Sequence, residues 1–279
     1  MTQLTSILFC GAGHSGSTLL GMVLGGAEGA FYAGEGAKTR FLHDLKKPLR
    51  KRACKICGEN CPVWSDFHPD FSRPVHPQIA AHTGAQVIVD SSKSTAWITD
   101  RLKDAEERGD GACLIFLQRD GRAVVNSRVS KYPDRDPVAQ INQWVDQMTT
   151  AQELFDGFSG LKTVVRYEEF ATSPETVTRR LCDEFGLIYT DTMLDFESRE
   201  HHPLGGNTGT QFLASRSGEK KVGHIPDELI SPRRTYYRDH PGGIRLDLRW
   251  RDELSAEHLA LFQSIAGPIN ARLEWDPIS

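Results

Sequence analysis

The sequence predicts an α/β fold of three layers, with helices on both faces of a mainly parallel central sheet. Two observations support this prediction. Short apolar segments alternate with helical patterns over the first two thirds of the chain, an order that is typical of βαβ units. In addition, most of the apolar segments end in a glycine-rich or charged loop, and ligands bind beyond this end of the strands in parallel sheets.

The predicted strands are four short apolar segments without helical periodicity. The first ends at Cys10 and the second at Asp90, and both lead directly into polar loops. Uninterrupted apolar runs of about four to eight residues are typical of strands that are buried on both faces. We therefore expect strands at residues 6–10, 87–90, 112–117 and 161–165.

The predicted helices follow the strands and carry recognisable end signals. Pro137 stands at the first turn of one helix, and Gly186 follows the last turn of another, which are the positions that these residue types favour. Arg122 and Arg128 are expected on the solvent side of their helix, as arginines usually are. We expect helices at residues 19–24, 95–107, 122–131, 137–155 and 174–185.

The remaining segments are polar, rich in glycine, proline or histidine, and not periodic. We interpret them as loops over the ligand-binding face: an insertion at about residues 50–80 and a late loop region at about residues 199–243. No internal repeat divides the chain, so residues 1–279 are expected to form a single domain. A basic cluster between Lys46 and Lys55 is interpreted as a solvated face, and the alternative is a surface that attracts an anionic molecule such as an acidic sugar or an acidic peptide.

The overall composition excludes several classes of protein. With 39% hydrophobic and 25% charged residues, the 279-residue chain is not a disordered or fibrous protein. A net charge of −4 argues against a nucleic-acid partner. The N-terminus lacks a signal-peptide pattern, and no apolar run reaches the roughly 18–20 residues of a membrane helix. We therefore expect a cytoplasmic enzyme without a membrane partner, and nothing in the sequence indicates its oligomeric state.

A phosphate-binding loop is the clearest motif. Residues 11–18 (GAGHSGST) follow the first predicted strand and open a helix, which is the arrangement in which backbone N–H groups and a helix N-terminus bind an anion. The Walker pattern matches at Gly11, Gly16 and Thr18, but Ser17 stands where the lysine belongs. The motif therefore favours a P-loop-like fold that binds an anion, and it disfavours an ordinary nucleoside triphosphatase. A glycine-rich helix start without a ligand is the alternative interpretation.

Three segments, taken together, resemble the sulfotransferases that use 3′-phosphoadenosine 5′-phosphosulfate (PAPS). Residues 13–20 (GHSGSTLL) resemble the loop for the 5′-phosphosulfate, and residues 117–127 (LQRDGRAVVNS) resemble the motif for the 3′-phosphate. Residues 165–170 (VRYEEF) resemble a later segment whose tyrosine lies near the nucleotide. The resemblance is to a bacterial branch with features of tyrosylprotein and carbohydrate sulfotransferases. It implies PAPS as co-substrate and cofactor contacts at Gly13, His14, Ser15, Gly16, Ser17, Thr18, Arg119, Ser127 and Tyr167.

The same resemblance implies a catalytic base. Glu35 lies between two glycines in the segment FYAGEG, which is similar to a Gly-Glu element in which the family's glutamate deprotonates the acceptor. A turn glutamate that faces water is the alternative. Lys93 lies three residues after the end of the second strand and is expected to stabilise charge on the moving sulfonyl group or the leaving phosphate. Tyr167 has an alternative role as a core aromatic residue with a satisfied hydroxyl.

His14 departs from the family pattern, which usually has arginine or lysine at this position. A histidine carries a charge there only if its surroundings raise its pKa, and a bound polyanion has that effect. His14 is therefore a third catalytic candidate, which would donate to the departing phosphate. Because of this departure, a non-catalytic relative that only binds the nucleotide remains an alternative. A second alternative, from another reaction class, is a P-loop kinase that uses a nucleotide.

Three cysteines of the predicted insertion have the spacing of metal ligands. Cys54, Cys57 and Cys61 provide three thiols, whereas a closed structural zinc site needs four ligands. A histidine would complete the site, and His43, His68 and His76 are the candidates by position. A reduced or partly disulfide-linked loop is the alternative. The transfer chemistry that the resemblance implies requires no metal, and its acceptor is a hydroxyl or amine of a small molecule, a glycan or a peptide.

Overall fold

A computed structural model describes residues 3–216 and 242–276. Its sheet is entirely parallel, with the strand order β2-β3-β1-β4-β5. The four predicted strands are confirmed with small shifts at their ends, and a further strand precedes Glu35. The strands are β1 (Thr5–Cys10), β2 (Ala30–Gly34), β3 (Val87–Asp90), β4 (Gly111–Gln118) and β5 (Leu161–Arg166).

Helices surround this sheet, and the five predicted ones are confirmed with small shifts at their ends. The prediction of a structureless late loop region was wrong in part, because a helix begins at Thr208. The helices of the described residues are α1 (Ser17–Leu24), α2 (Leu49–Arg52), α3 (Val75–Thr83), α4 (Thr95–Arg108), α5 (Gly121–Lys131), α6 (Pro137–Gly157), α7 (Tyr167–Thr172), α8 (Pro174–Phe185), α9 (Thr208–Arg216), α10 (Trp250–Glu253) and α11 (Ala256–Asn270). None of them is long and apolar enough to cross a membrane.

The apolar core lies on both faces of the sheet, because successive side chains of a strand point to opposite faces. In β1, Ile7 and Phe9 belong to one buried cluster, which includes residues of α1, α3 and α8. Leu8 and Cys10 belong to the other, which includes residues of α5, α6 and α11. The continuous apolar composition of β1 therefore reflects burial on both faces, and the expected three-layer architecture is confirmed.

The central position of β1 determines where a ligand site lies. β1 pairs with β3 on one side and with β4 on the other, so the connections that leave these strands diverge at its carboxyl end. A crevice forms at such a point in an open parallel sheet. The phosphate loop follows β1, and the loops after β2, β3, β4 and β5 lie at the same edge.

Candidate active site

The phosphate loop connects β1 to α1 and requires glycine at two points. Gly11 has a φ of +118°, and a Cβ atom there would collide with the carbonyl oxygen of Leu117. Gly16 has a φ of +90°, and its Cβ would lie 2.5 Å from the Cδ2 atom of Tyr167. The loop therefore passes close to the ends of both β4 and β5, and only glycine permits this approach.

The start of α1 presents unsatisfied donors at this loop. The first N–H groups of any helix lack a partner within the helix, and here the first turn begins at Ser17. Ser15 is buried, and its hydroxyl has no hydrogen-bond partner among the described residues. The hydroxyl and the helix N-terminus together suit an anion with several oxygen atoms.

His14 joins this loop to the second motif. It has a φ of 72°, unusual for a residue with a side chain, and its Nδ1 atom lies 2.9 Å from the Oγ atom of Ser127 in α5. Burial, together with a group of nearby cations, lowers the pKa of His14 to about 3. The imidazole is therefore neutral at pH 7 in this structure. The cations that contribute are Lys131, Arg128, Lys93 and Arg119.

Arg119 extends the site from the end of β4. Its Nη1 atom donates to the carbonyl oxygen of His14 at 3.0 Å, and its Nη2 atom lies 3.3 Å from the carboxylate of Asp247. The guanidinium carbon lies 4.2 Å from the centre of the Tyr167 ring, a cation–π contact. Its buried Nε atom has no hydrogen-bond partner among the described residues, so Arg119 retains one free donor at the loop.

Tyr167 forms one wall of the same region. The ring lies between Gly16 and Arg119, and its hydroxyl donates to the carbonyl oxygen of Arg245 at 2.8 Å. The buried ring with a satisfied hydroxyl matches the alternative role as a core aromatic residue, and its contact with Gly16 places it beside the phosphate loop.

Arg128 is a functional candidate that the sequence reasoning missed. The expectation of a solvent-facing arginine was wrong, because only 4% of the residue is exposed. Its Nη1 atom donates to the carbonyl oxygen of Gln140 at 3.2 Å, and its Nη2 atom to the side chain of Gln147. The Gln147 amide oxygen in turn accepts the Gly13 N–H at 3.2 Å. Arg128 thereby braces the phosphate loop, a role that no spacing in the sequence indicates.

Arg122 likewise pairs with a buried group, the carboxylate of Asp120.

Glu35 lies directly after β2 and has two fixed partners. Its Oε1 atom accepts the N–H of Gly206 at 3.0 Å, and its Oε2 atom lies 2.9 Å from the Nζ atom of Lys38. Burial alone would raise the pKa of Glu35, but Lys38, Lys93 and the Gly206 N–H outweigh this effect, so the pKa is below its ordinary value. With its side chain 32% exposed, Glu35 is an ionised carboxylate that is open to solvent.

Lys93 is held in place by the loop after β3. Its Nζ atom donates to the carbonyl oxygen of Ser91 at 2.9 Å, and burial lowers its pKa. The fully buried carboxylate of Asp90 fixes this loop by accepting the N–H groups of Gly36 and Ser92. The Asp90 interactions also join the β3 loop to the segment that carries Glu35. Lys93 and Glu35 are close enough that each affects the pKa of the other.

A segment of the late loop region, residues 202–207, connects the site residues to one another. The Leu204 N–H donates to the Ala33 carbonyl oxygen at 3.0 Å, and the Leu204 carbonyl oxygen accepts the Glu35 N–H at 2.6 Å. The Asn207 N–H donates to the Oγ1 atom of Thr18 at 2.8 Å. Segment 202–207 therefore lies along the edge of β2 and reaches the phosphate loop. Residues 217–241 of the late loop region lie outside the described residues.

Lys55 corrects the interpretation of the basic cluster as a uniformly solvated face. Only 8% of this residue is exposed, and its Nζ atom donates to the Gly206 carbonyl oxygen at 2.7 Å and to Thr208 at 3.2 Å. The last lysine of the cluster thus holds the loop that contacts Glu35.

The cysteine cluster also differs from the expectation in its fourth member. The Sγ atoms of Cys54, Cys57 and Cys61 and a ring nitrogen of His202 all lie within 4.8 Å of one another. The three histidines proposed from position lie elsewhere. His43 stacks on His68, and His76 binds Ser6 and Asp90.

Comparisons with known proteins agree with this architecture. The model of a family described as "Sulfotransferase family" matches residues 6–191. Similar solved structures include the sulfotransferase domain of the Synechococcus PCC 7002 olefin synthase, with 16% identity over 95% of each chain and a TM-score of 0.52. The sulfotransferase domain from the curacin biosynthetic pathway has 17% identity over 95% of this chain and 98% of that one, with a TM-score of 0.53.

A third solved structure is mouse sulfotransferase SULT7A1 complexed with PAP, which has 13% identity over 96% of this chain and 88% of that one, with a TM-score of 0.50. At these identities the likenesses show a shared fold. No protein of curated function matches the sequence.

Proposed function

The chain belongs to the sulfotransferase family, and we propose that it transfers a sulfonyl group from PAPS to a hydroxyl or amine of an acceptor. The observation that carries the proposal is the convergence of cations on the phosphate loop. Burial lowers the pKa of the His14 imidazole, and four nearby cations lower it further. Two buried donors nearby, on Ser15 and Arg119, lack a partner among the described residues. A polyanionic ligand would balance this charge and satisfy these donors.

PAPS matches this arrangement because it carries anions at two positions. The N–H groups at the start of α1 and the Ser15 hydroxyl would bind the 5′-phosphosulfate. Arg119 and Ser127 would bind the 3′-phosphate, as the resemblance implies, and Tyr167 would line the nucleotide site. Ser17 stands where the Walker pattern has a lysine that reaches the β- and γ-phosphates. PAPS has no triphosphate, so its binding does not require that lysine.

Glu35 would act as the general base. Its carboxylate takes the proton of the acceptor, the acceptor oxygen or nitrogen forms a bond to sulfur, and the bond between sulfur and the bridging phosphate oxygen breaks. The products are the sulfated acceptor and 3′-phosphoadenosine 5′-phosphate (PAP). Lys93, His14 and the loop N–H groups would stabilise the charge that develops on the transferred group and the leaving oxygen. No step of this scheme requires a metal.

Two measurements test the proposal. Thermal unfolding with PAP or ADP compares the two kinds of nucleotide, and PAP is expected to stabilise the protein more strongly. Transfer of labelled sulfate from PAPS is then measured with a panel of small phenols and alcohols, amines, glycans and tyrosine peptides. Stabilisation by ADP alone would favour a nucleotide-dependent kinase. PAP binding without transfer to any acceptor of the panel would favour a non-catalytic relative.

A further inference from the structure

The cluster of Cys54, Cys57, Cys61 and His202, called here the Cys3His cluster, lies outside the residues that the proposed transfer uses. We propose that it binds one Zn²⁺ ion, and that this ion fastens segment 202–207 to the cysteine loop. Three thiolates and one imidazole are a ligand set of structural zinc sites, which are closed and tetrahedral.

The geometry of the cluster agrees with a tetrahedral ion. With Zn–S of about 2.3 Å and Zn–N of about 2.1 Å, a sulfur and a nitrogen ligand lie about 3.6 Å apart and two sulfur ligands about 3.8 Å apart. The Nδ1 atom of His202 lies 3.3 Å from the Sγ atom of Cys57 and 3.4 Å from that of Cys61. All four ligand atoms lie within 4.8 Å of one another, so small side-chain movements produce the tetrahedron.

The groups around the cluster also suit a metal site. The Nε2 atom of His202 lies 3.1 Å from a carboxylate oxygen of Glu200, so the imidazole presents Nδ1 to the thiols while a carboxylate holds the opposite nitrogen. This pairing orients metal-bound histidines. The backbone nitrogen of Ile56 lies 3.4 Å from the Sγ atom of Cys54 and donates a hydrogen bond to it. Such a hydrogen bond stabilises a metal-bound thiolate. Cys54 and Cys61 are fully buried and Cys57 is partly buried, and the four side chains would complete the coordination of one ion.

The other cysteines of the chain provide a contrast. Cys10, Cys113 and Cys182 are buried in the apolar core, and none of them is part of a group of metal-binding side chains among the described residues. The cysteine loop and His202 are far apart in the chain, and nothing else in the 54–61 loop requires three thiols to converge on one imidazole. Metal binding accounts for that convergence.

Segment 202–207 connects the proposed ion to the phosphate loop. His202 belongs to the cluster, and Leu204 pairs with both Gly34 and Cys54. Gly206 contacts the carboxylate of Glu35, and Asn207 contacts Thr18. The ion would therefore hold one end of a segment whose other end reaches the candidate base and the phosphate loop.

The zinc content of the purified full-length protein, expressed in zinc-supplemented medium, tests the proposal. We expect about one zinc per chain by elemental analysis, and strong visible absorption of tetrahedral, thiolate-bound cobalt after replacement with Co²⁺. Removal of the metal with a chelator should lower the midpoint of thermal unfolding by roughly 5 °C or more. Neither readout depends on transfer activity, so the zinc proposal and the proposed function can fail separately.

Matched variants locate the ion. The double variant Cys57→Ser/Cys61→Ser is expected to lose the zinc, as is His202→Asn. The controls Cys182→Ser and His201→Asn, which change buried residues outside the cluster, should retain it. Should the cluster variants fail to fold, the cobalt spectrum of the wild-type protein decides. A wild-type protein without zinc, with iron in its place, with an octahedral cobalt spectrum or with a disulfide within the cluster would overturn the proposal. Full zinc content in the folded double variant would do the same.

Discussion

The Nδ1 atom of His14 lies 2.9 Å from the Oγ atom of Ser127, although 113 positions separate the two residues in the chain. The contact joins the loop after β1 to the helix after β4. Arg119 strengthens the same junction by donating to the His14 carbonyl oxygen. The two parts of the proposed PAPS site are therefore one hydrogen-bonded unit before any ligand binds.

The low pKa of His14 predicts a pH dependence of stability. The imidazole of an unfolded chain takes up a proton near pH 6.5, whereas that of the folded protein does so near pH 3. Its contribution to the free energy of unfolding is therefore present above about pH 6.5 and is lost as the pH falls toward 3. We expect a loss on the order of 1 kcal/mol between pH 7 and pH 5 after solvent screening. Urea unfolding at both pH values measures it.

His14→Gln should reduce this pH dependence, and the exposed control His68→Gln should keep it. Saturation with PAP should also reduce it in the wild-type protein, since a bound anion favours the protonated imidazole. An identical loss of stability in the wild-type protein and in His14→Gln would contradict the assignment.

Glu35→Gln tests the proposed base. The variant keeps the shape of the side chain and its contact to Gly206, but it removes the group that takes the proton. We expect the rate of sulfate transfer to fall by about 10²- to 10⁴-fold, while stabilisation by PAP is retained. The exposed Glu28→Gln serves as the control. A rate for Glu35→Gln within a few-fold of the wild-type rate would show that another group takes the proton.

Lys38→Met tests the electrostatic control of Glu35. The Lys38 ammonium favours the ionised carboxylate, so its removal should raise the pKa of Glu35. The acidic limb of the pH–rate profile is then expected to shift toward higher pH. Lys38→Arg keeps the charge and should keep the profile. An unshifted acidic limb in Lys38→Met would mean that the limb reports a different group.

Arg119 and Ser127 predict a selectivity between nucleotides. If both bind the 3′-phosphate, Arg119→Lys and Ser127→Ala should each weaken PAP binding by about 10-fold or more. Their affinity for 5′-AMP, which lacks this phosphate, should change much less. Calorimetric titration with both nucleotides measures the ratio of affinities. The control is Arg108→Ala, because Arg108 lies just before β4, at the end of the strands opposite to the site. Equal losses of affinity for PAP and 5′-AMP would show that the 3′-phosphate binds elsewhere.

Gly16→Ala tests the close approach of the phosphate loop to Tyr167. A Cβ atom at this position combines a φ of +90° with a collision against the aromatic ring, so we expect a loss of about 2–4 kcal/mol in the free energy of unfolding. Gly13→Ala, whose Cβ would meet only an Arg128 nitrogen at 3.9 Å, should cost less than about 1 kcal/mol. Gly84 also has a positive φ, but a Cβ atom there would meet no other atom within 4 Å. Gly84→Ala therefore measures the cost of the positive φ without a collision. Thermal or urea unfolding compares the three variants, and equal losses at Gly16 and Gly84 would exclude the collision.

Local sequence patterns were sufficient for four of the five strands, the main helices and the phosphate loop. Strand β1 could be recognised because burial on both faces requires an uninterrupted apolar run. The start of α1 could be recognised because the glycines of the phosphate loop precede a run of apolar residues. The helix at Thr208 was missed, since its first four residues (TGTQ) are not apolar and two glycines, Gly205 and Gly206, lie just before it. Arg128 was assigned to the surface because burial of an arginine depends on partners such as Gln147, which lie on another helix.

The sequence by itself determined the order of the elements and the residue types at the strand ends, because burial, φ preference and backbone hydrogen bonding act locally along the chain. Only the tertiary structure decided which distant residues meet there. It selected His202 rather than His43, His68 or His76 as the partner of the cysteines, and it placed Gly206 on Glu35. Such contacts depend on how segments far apart in the chain pack against the edge of β2, and no local pattern encodes that packing.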